Sequence, residues 1–198
     1  MLSMSTSNRS AYHHRALRPA LIAAARALLD EGGPEAVGLR EAARRVGVSP
    51  TATYRHFRDK DALLAAVAAE GFREFGAALA AGQSAADPFA GMGAAYIDFA
   101  LAKPGMFQLM FSPLLAAQAA DPDLSAAADA AFALLRKRAE ASAPGPFGGD
   151  IEATTLIAWS MVHGLSRLVL DGVLPREAAE GFKRAMLARP PGAGPATA

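Results

Sequence analysis

The sequence has no cysteine, one tryptophan and three tyrosines in 198 residues. Without cysteine there are no disulfides, thiolate metal sites or thiol nucleophiles, which agrees with a reducing cytoplasm. A large charge of either sign is also lacking, since the formal net charge is +1. The uncharged apolar run Ala153 to Ser166 falls short of the roughly 18–20 residues a membrane span needs. The opening stretch, MLSMSTSNRSAYHH, lacks the apolar core of a signal peptide. These features predict a cytoplasmic protein with no membrane partner. Period-two alternation and hairpin turns are missing, so no strand signal competes with helix. Catalytic signatures are missing too: there is no Ser/His/Asp set, H-E-x-x-H, phosphate loop or motif-borne carboxylate pair. His56 has no second histidine or cysteine three or four residues away, so neither a metal nor a cofactor is expected.

What is present is a helical, globular composition, 52% hydrophobic and 20% charged. Charge is unevenly spread. Met1–Phe75 holds 11 Lys/Arg against 8 Asp/Glu, and the remainder holds 9 against 11. A basic N-terminal part beside a mildly acidic remainder suits a protein that offers one end to phosphates.

The stretch Leu39–Lys60, LREAARRVGVSPTATYRHFRDK, organises the chain. It reads as a helix over Leu39–Val46, a turn at Gly47-Val48-Ser49, and a second helix from Pro50 to near His56. Gly47 can take the positive φ that stops the first helix. Ser49 can cap the next, and Pro50 suits its first position. Two short helices joined this way predict a helix-turn-helix over about residues 38–57, whose second helix enters the major groove of DNA. The side chains able to face DNA from it are Thr51, Ala52, Thr53, Tyr54 and His56, with Ser49 and Pro50 at its start. Arg40 is the best candidate for a guanine contact. Arg44, Arg45 and Arg55 read equally well as solvated charges.

The run Gly47-Val48-Ser49, followed by Tyr54-x-His56-Phe57-x-x-Lys60-x-x-Leu63, resembles the DNA-binding domain of the TetR family of bacterial transcriptional regulators. The resemblance covers about Arg15 to Phe75 and implies that Tyr54, His56 and Lys60 hydrogen-bond phosphates. Phe57 and Leu63 read as core. Gly38 and Ala42 depart from the family pattern, which more often has a Thr or Ser cap and a larger aliphatic there.

Around this unit, residues 1–12 read as a disordered leader, and Leu17, Leu21, Ala24, Leu28 and Leu29 form one apolar face of a first helix, Arg15 to Asp30, stopped by Gly32-Gly33-Pro34. A long Ala/Leu helix from Lys60 to about Ala81 follows, with Asp59 as its N-cap. The head is thus assigned to residues 13–75 and a second domain to 76–189, ahead of a disordered tail at 190–198. In the second domain, helices are expected over Phe89–Ala102, from Asp121-Pro122 to Ala141, over Asp150–Leu170, and from Leu174-Pro175 to Leu187. Met106–Phe111 reads as a short turn and residues 143–149 as a loop. The prediction is an all-α chain of about nine helices.

A second resemblance lies in Ala158–Gly172, AWSMVHGLSRLVLDG, together with Tyr96 to Phe107. These look like the ligand-binding region of a TetR subgroup named for a Trp–His–Gly motif, here Trp159, His163 and Gly164. Tyr96, Phe99, Phe107, Met110, Phe111, Trp159 and His163 are the candidate lining of an apolar effector pocket. A plain core is the competing reading of the same residues. The Asp150–Leu170 helix is apolar on two faces and must be covered on both. Ile157, Met161, Leu165 and Leu168, with Ser160 and Gly164 allowing close approach and Phe182 and Met186 from the last helix, are the candidate homodimer interface.

The sequence therefore predicts a homodimeric regulator, most often a repressor in this family, that binds double-stranded operator DNA and responds to a small, largely apolar effector. The alternatives are an effector-independent DNA-binding protein and, more remotely, an all-α enzyme.

Overall fold

The computed structural model describes residues 7–118, 121–142 and 149–188. The tail expected at 190–198, most of the loop expected at 143–149 and the first half of the leader lie outside these. Among the described residues there are nine α-helices, one 3-10 segment and no strand. The helices are α1 (Ser7–Ala36), α2 (Leu39–Val46), α3 (Pro50–Thr53), α4 (Lys60–Gly82), α5 (Pro88–Ala102), α6 (Pro104–Met110), α7 (Pro122–Ala141), α8 (Ile151–Leu170) and α9 (Arg176–Leu187).

Several element ends follow directly from single residues. Gly47 sits at φ 75°, a left-handed conformation glycine adopts without a Cβ clash, and its amide donates to carbonyls of the last turn of α2. Asp59 accepts from the Ala62 amide at 2.8 Å, as expected, and Asp121 caps α7 in the same way, accepting from Asp123 and Leu124 at 3.0 Å. α1 breaks at Gly32-Gly33, where the backbone leaves helical geometry.

Four local expectations need correction. α1 begins at Ser7, inside the stretch read as a leader. α3 ends at Thr53, because the amides of His56 and Phe57 both turn back to the Thr53 carbonyl at 2.9 Å and close the helix there. Ser49 occupies the N-cap position of α3 but its hydroxyl makes no capping bond. Met106–Phe111 is no simple turn: Pro104 opens α6, and Met106, Phe107, Leu109 and Met110 are buried on it.

The long helix α4 is the spine. It packs on α1 at one end and on α5, α6 and α7 at the other, with Leu63, Leu64, Val67, Phe72, Phe75 and Leu79 buried along it. A continuous core joins these residues to Leu21, Leu29, Tyr96, Ile97, Phe107 and Leu109. Ion pairs brace the outside of the α1–α4–α5 corner: Arg26 reaches Glu74 at 2.5 Å and Glu70 at 3.1 Å, and Lys103 reaches Glu74 at 2.5 Å. The Arg26 guanidinium, then Lys103, hold the Glu74 carboxyl below its usual range.

The turn from α4 to α5 depends on a backbone-on-backbone contact. A Cβ built on Gly91 would overlap the Gly82 carbonyl and lie 2.6 Å from the Ala85 Cβ, while one on Gly82 would lie 2.5 Å from the Gly91 carbonyl oxygen. Because backbone cannot rotate away as a side chain can, Gly91→Ala is expected to destabilise by about 1–3 kcal/mol. A denaturant midpoint unchanged from the parent would refute that contact.

Helix α8 is 20 residues long with a mean hydropathy of 1.2 over its most apolar window, so by length and composition it could cross a membrane. This corrects the shorter run read from the sequence, which stopped at charged positions. Its exposure is one-sided. Thr154, Val162, Ser166 and Val169 are buried, while Leu156, Ile157, Met161 and Leu168 are exposed.

Candidate DNA-reading head and aromatic cluster

In the head, α2 and α3 meet across the Gly47 turn, with the Val48 amide bonded to the Ala43 carbonyl at 3.0 Å. Leu39, Ala42, Ala43 and Phe57 face inward, and the Arg18 guanidinium lies 5.2 Å from the centre of the Phe57 ring. That packing fixes which side chains remain outside. Arg40, Ser49, Pro50, Thr51 and Tyr54 are exposed, and Ala52, His56 and Lys60 are half-buried.

Thr53 does not belong with them. It is fully buried, and its hydroxyl donates to the Pro50 carbonyl at 2.6 Å. A four-residue helix turns one side inward, and Thr53 is on that side. The ambiguous arginines also separate. Arg44 is held by Glu41 at 2.6 Å, and Arg45 by Glu31 at 2.5 Å and Glu41 at 3.4 Å. The Glu41 carboxyl, hydrogen-bonded chiefly by Arg44, is pulled down to about 2. Arg45, through Glu31, braces α2 against α1, while Arg44 pairs within α2.

What the sequence did not reveal is a hollow of about 380 Å³ lined by Gly38, Leu39, Arg40, Tyr54, Arg58, Asp59 and Lys60. It gathers the start of α2, the end of α3 and the start of α4, which the two turns between these helices fold together. Arg58 is the new member; it also contacts Asp59 at 3.2 Å. Three cations, a phenol and the uncapped start of α2 around one concavity suit an anionic, ridged surface.

In the second half, the candidate aromatic residues do come together. Tyr96 and Phe107 are buried, with ring centres 5.8 Å apart. Phe111 is 4.9 Å from Phe107 and 4.8 Å from the His163 ring. Trp159 donates its indole N–H to the Tyr96 oxygen at 3.1 Å, and the same oxygen lies 2.8 Å from His163 Nδ1. Phe99 and Met110 are buried at the edge of this group. Two further rings belong to it: Phe75, 4.9 Å from Tyr96, and Phe132, 4.8 Å from Trp159. The spacing of Phe72 and Phe75 on one face of α4 was the signal for the first. A second surface hollow, of about 320 Å³, is lined by Arg26, Asp30 and Ala102–Met106. Neither hollow is lined by the aromatic cluster.

For the candidate dimer face, Ile157, Ser160, Met161 and Leu168 are exposed, and a Cβ on Gly164 would meet nothing within 4 Å. Leu165, Phe182 and Met186 are half-buried and pack against the chain's own core, an inward role the sequence did not predict.

Comparisons with known proteins agree with both halves. Residues 21–67 match the family described as bacterial regulatory proteins, tetR family, and residues 89–188 match the tetracyclin repressor-like C-terminal domain. A Rhodococcus sp. RHA1 protein of unknown function is 32% identical, with a TM-score of 0.71 over 86% of this chain and 93% of that one. A regulatory protein in the tetR family from Rhodococcus RHA1 is 24% identical, with a TM-score of 0.61 over 86% and 95%. The TetR family regulator PfmR from Thermus thermophilus is 20% identical, with a TM-score of 0.58 over 85% and 94%. No curated protein matches the chain.

Proposed function

The chain belongs to the TetR family of DNA-binding transcriptional regulators, and from that premise we propose that it is a homodimeric repressor released from its operator by a small, largely apolar effector. The observation that carries the DNA half is the basic hollow at the meeting of α2, α3 and α4. Phosphates would seat against Tyr54, His56, Arg58 and Lys60, while Arg40, Thr51 and Ala52 approach base edges. The start of α3 carries no Arg, Asn or Gln, so hydroxyl and methyl contacts, with Arg40, supply the sequence reading.

Tyr54→Phe tests the phosphate role cleanly, because Tyr54 is 54% exposed and its loss leaves the core intact. Removing one hydrogen bond to a charged group costs about 1.5–3 kcal/mol, so operator affinity should fall about 10- to 100-fold, equally across operator variants. A change in sequence preference instead would make Tyr54 a base reader.

In the effector half, the aromatic group between α4, α5, α6 and α8 is the proposed binding region. α6 touches α1 where Gly105 abuts the Leu29 carbonyl, and Lys103 shares Glu74 with Arg26 of α1. An effector that shifts α6 would therefore move the head. Moving the population from 99:1 to 1:99 requires about 5.5 kcal/mol of preference for one conformer. The two recognition elements would then no longer match major grooves about 34–36 Å apart.

The test is selection of bound duplexes from a random library at moderate salt. A palindromic consensus is expected. No enrichment over bulk DNA would overturn sequence-specific regulation.

A further inference from the structure

The buried polar chain Trp159–Tyr96–His163 has a direction, and that direction defines what its open end can bind. An indole N–H can only donate, so the 3.1 Å contact uses a lone pair of the Tyr96 oxygen. Tyr96 is 1% exposed, and burial pushes its pKa up, so it keeps its hydrogen. Among the described residues, the only other polar partner of that oxygen is His163 Nδ1, at 2.8 Å. If Nδ1 carried a hydrogen, the phenol would accept twice and its own buried hydrogen would have no acceptor. The arrangement that satisfies every atom has the phenol donating to Nδ1, which places the imidazole hydrogen on Nε2.

No protein acceptor takes the Nε2 hydrogen among the described residues, and this nitrogen is not a sealed-in atom. It stands among apolar rings, with Phe111 at 4.8 Å, Phe107 at 5.3 Å and Trp159 at 5.8 Å between ring centres. The charged side chain that bears on it is Arg167, one turn along α8, itself paired with Asp171 at 3.0 Å. A fixed donor in an aromatic setting, with a guanidinium nearby, favours an acceptor and disfavours a cation.

We propose that the effector is an apolar or aromatic molecule bearing an uncharged or anionic hydrogen-bond acceptor, a carbonyl or carboxylate, which receives the Nε2 hydrogen of His163. This rests on the reading of the aromatic group as the effector region. Tyr96 is then a positioning residue: it touches no ligand, and it sets which imidazole nitrogen donates.

The first measurement is a long-range proton–nitrogen correlation spectrum of the uniformly labelled full chain, with His163→Gln identifying the His163 signals. The expected result at pH 7 is hydrogen on Nε2 and none on Nδ1. An Nδ1-protonated ring or an imidazolium would overturn the proposal. Burial and Arg167 both lower the His163 pKa, so the unfolded chain binds the proton more readily. Stability should therefore fall as pH drops from 7 to 5, and fall less in His163→Gln.

The second measurement uses matched naphthalene probes: 2-acetonaphthone, 2-naphthoate and 2-naphthylmethylammonium. Trp159 is the sole tryptophan, so its emission reports binding at this place. The ketone and the carboxylate should bind at least ten-fold tighter than the ammonium. In His163→Phe, checked for folding by circular dichroism, that preference should shrink to less than two-fold. An ammonium that binds as tightly, or a preference that survives in His163→Phe, would overturn the ligand class while leaving the effector region standing. Binding by none of the three would sink the region and the ligand class together.

Discussion

Met161→Glu is expected to leave each subunit folded, hold the protein as a monomer and lower operator affinity at least 100-fold. Met161 is 53% exposed, and Leu156, Ile157 and Leu168 stand exposed on the same helix at 50%, 37% and 42%. Substituting an exposed side chain changes the stability of the isolated subunit by only about 0.5 kcal/mol. In a dimer formed through this stripe, however, the new carboxylate enters an apolar interface without a partner, a several-kcal/mol penalty. Loss of the dimer removes one half-site from each binding event, and 100-fold corresponds to about 2.7 kcal/mol. Sedimentation, circular dichroism and fluorescence anisotropy with the selected duplex read the three outcomes separately. Met161→Leu is the control that keeps the face apolar and should change none of them. A glutamate variant that remains dimeric would remove the stripe from the interface.

The same helix shows what the sequence could and could not reveal. Periodicity separated Ile157, Met161 and Leu168 from Val162 and Val169, because a helix repeats every 3.6 residues whatever surrounds it. Which face turns inward was not legible, since both are apolar; it depends on where α5 and α7 lie. The head was more legible, because Gly47, Pro50 and Asp59 each carry a local conformational rule that needs no tertiary context. Thr53 was misplaced for the opposite reason. Its outward or inward direction depends on where a four-residue helix stops, and that is decided by amides three and four residues beyond it. The basic hollow, assembled from three separate stretches, could not be seen as one feature at all. Tyr96, Trp159 and His163 were each singled out, but the direction of their hydrogen bonds required distances.

Phe75→Ala is expected to be the most damaging single change in the core, at about 3–5 kcal/mol. Phe75 is 2% exposed on α4, and its ring meets Tyr96 at 4.9 Å, Phe99 at 5.1 Å and Phe111 at 6.3 Å, each edge-to-face. Truncation removes those contacts and leaves a void that three rings on α5 and beyond α6 cannot fill without leaving their rotamers. For a chain of this length, the melting temperature should drop by roughly 10 °C. Phe75→Leu, which keeps most of the volume, should cost clearly less. The position also gives the change a functional reading. Phe75 lies where α4 passes from the head to the aromatic group, and its ring backs the phenol that fixes His163. Phe75→Ala should therefore blur the His163 tautomer under conditions where the chain is still folded, whereas Gly91→Ala, which acts at the α4–α5 turn, should lower stability and leave that tautomer sharp. A Phe75→Ala protein that melts within about 2 °C of the parent would mean that the ring does not carry this junction. One that melts early with an unchanged His163 spectrum would mean that Tyr96 is held by Trp159 and Phe107 alone.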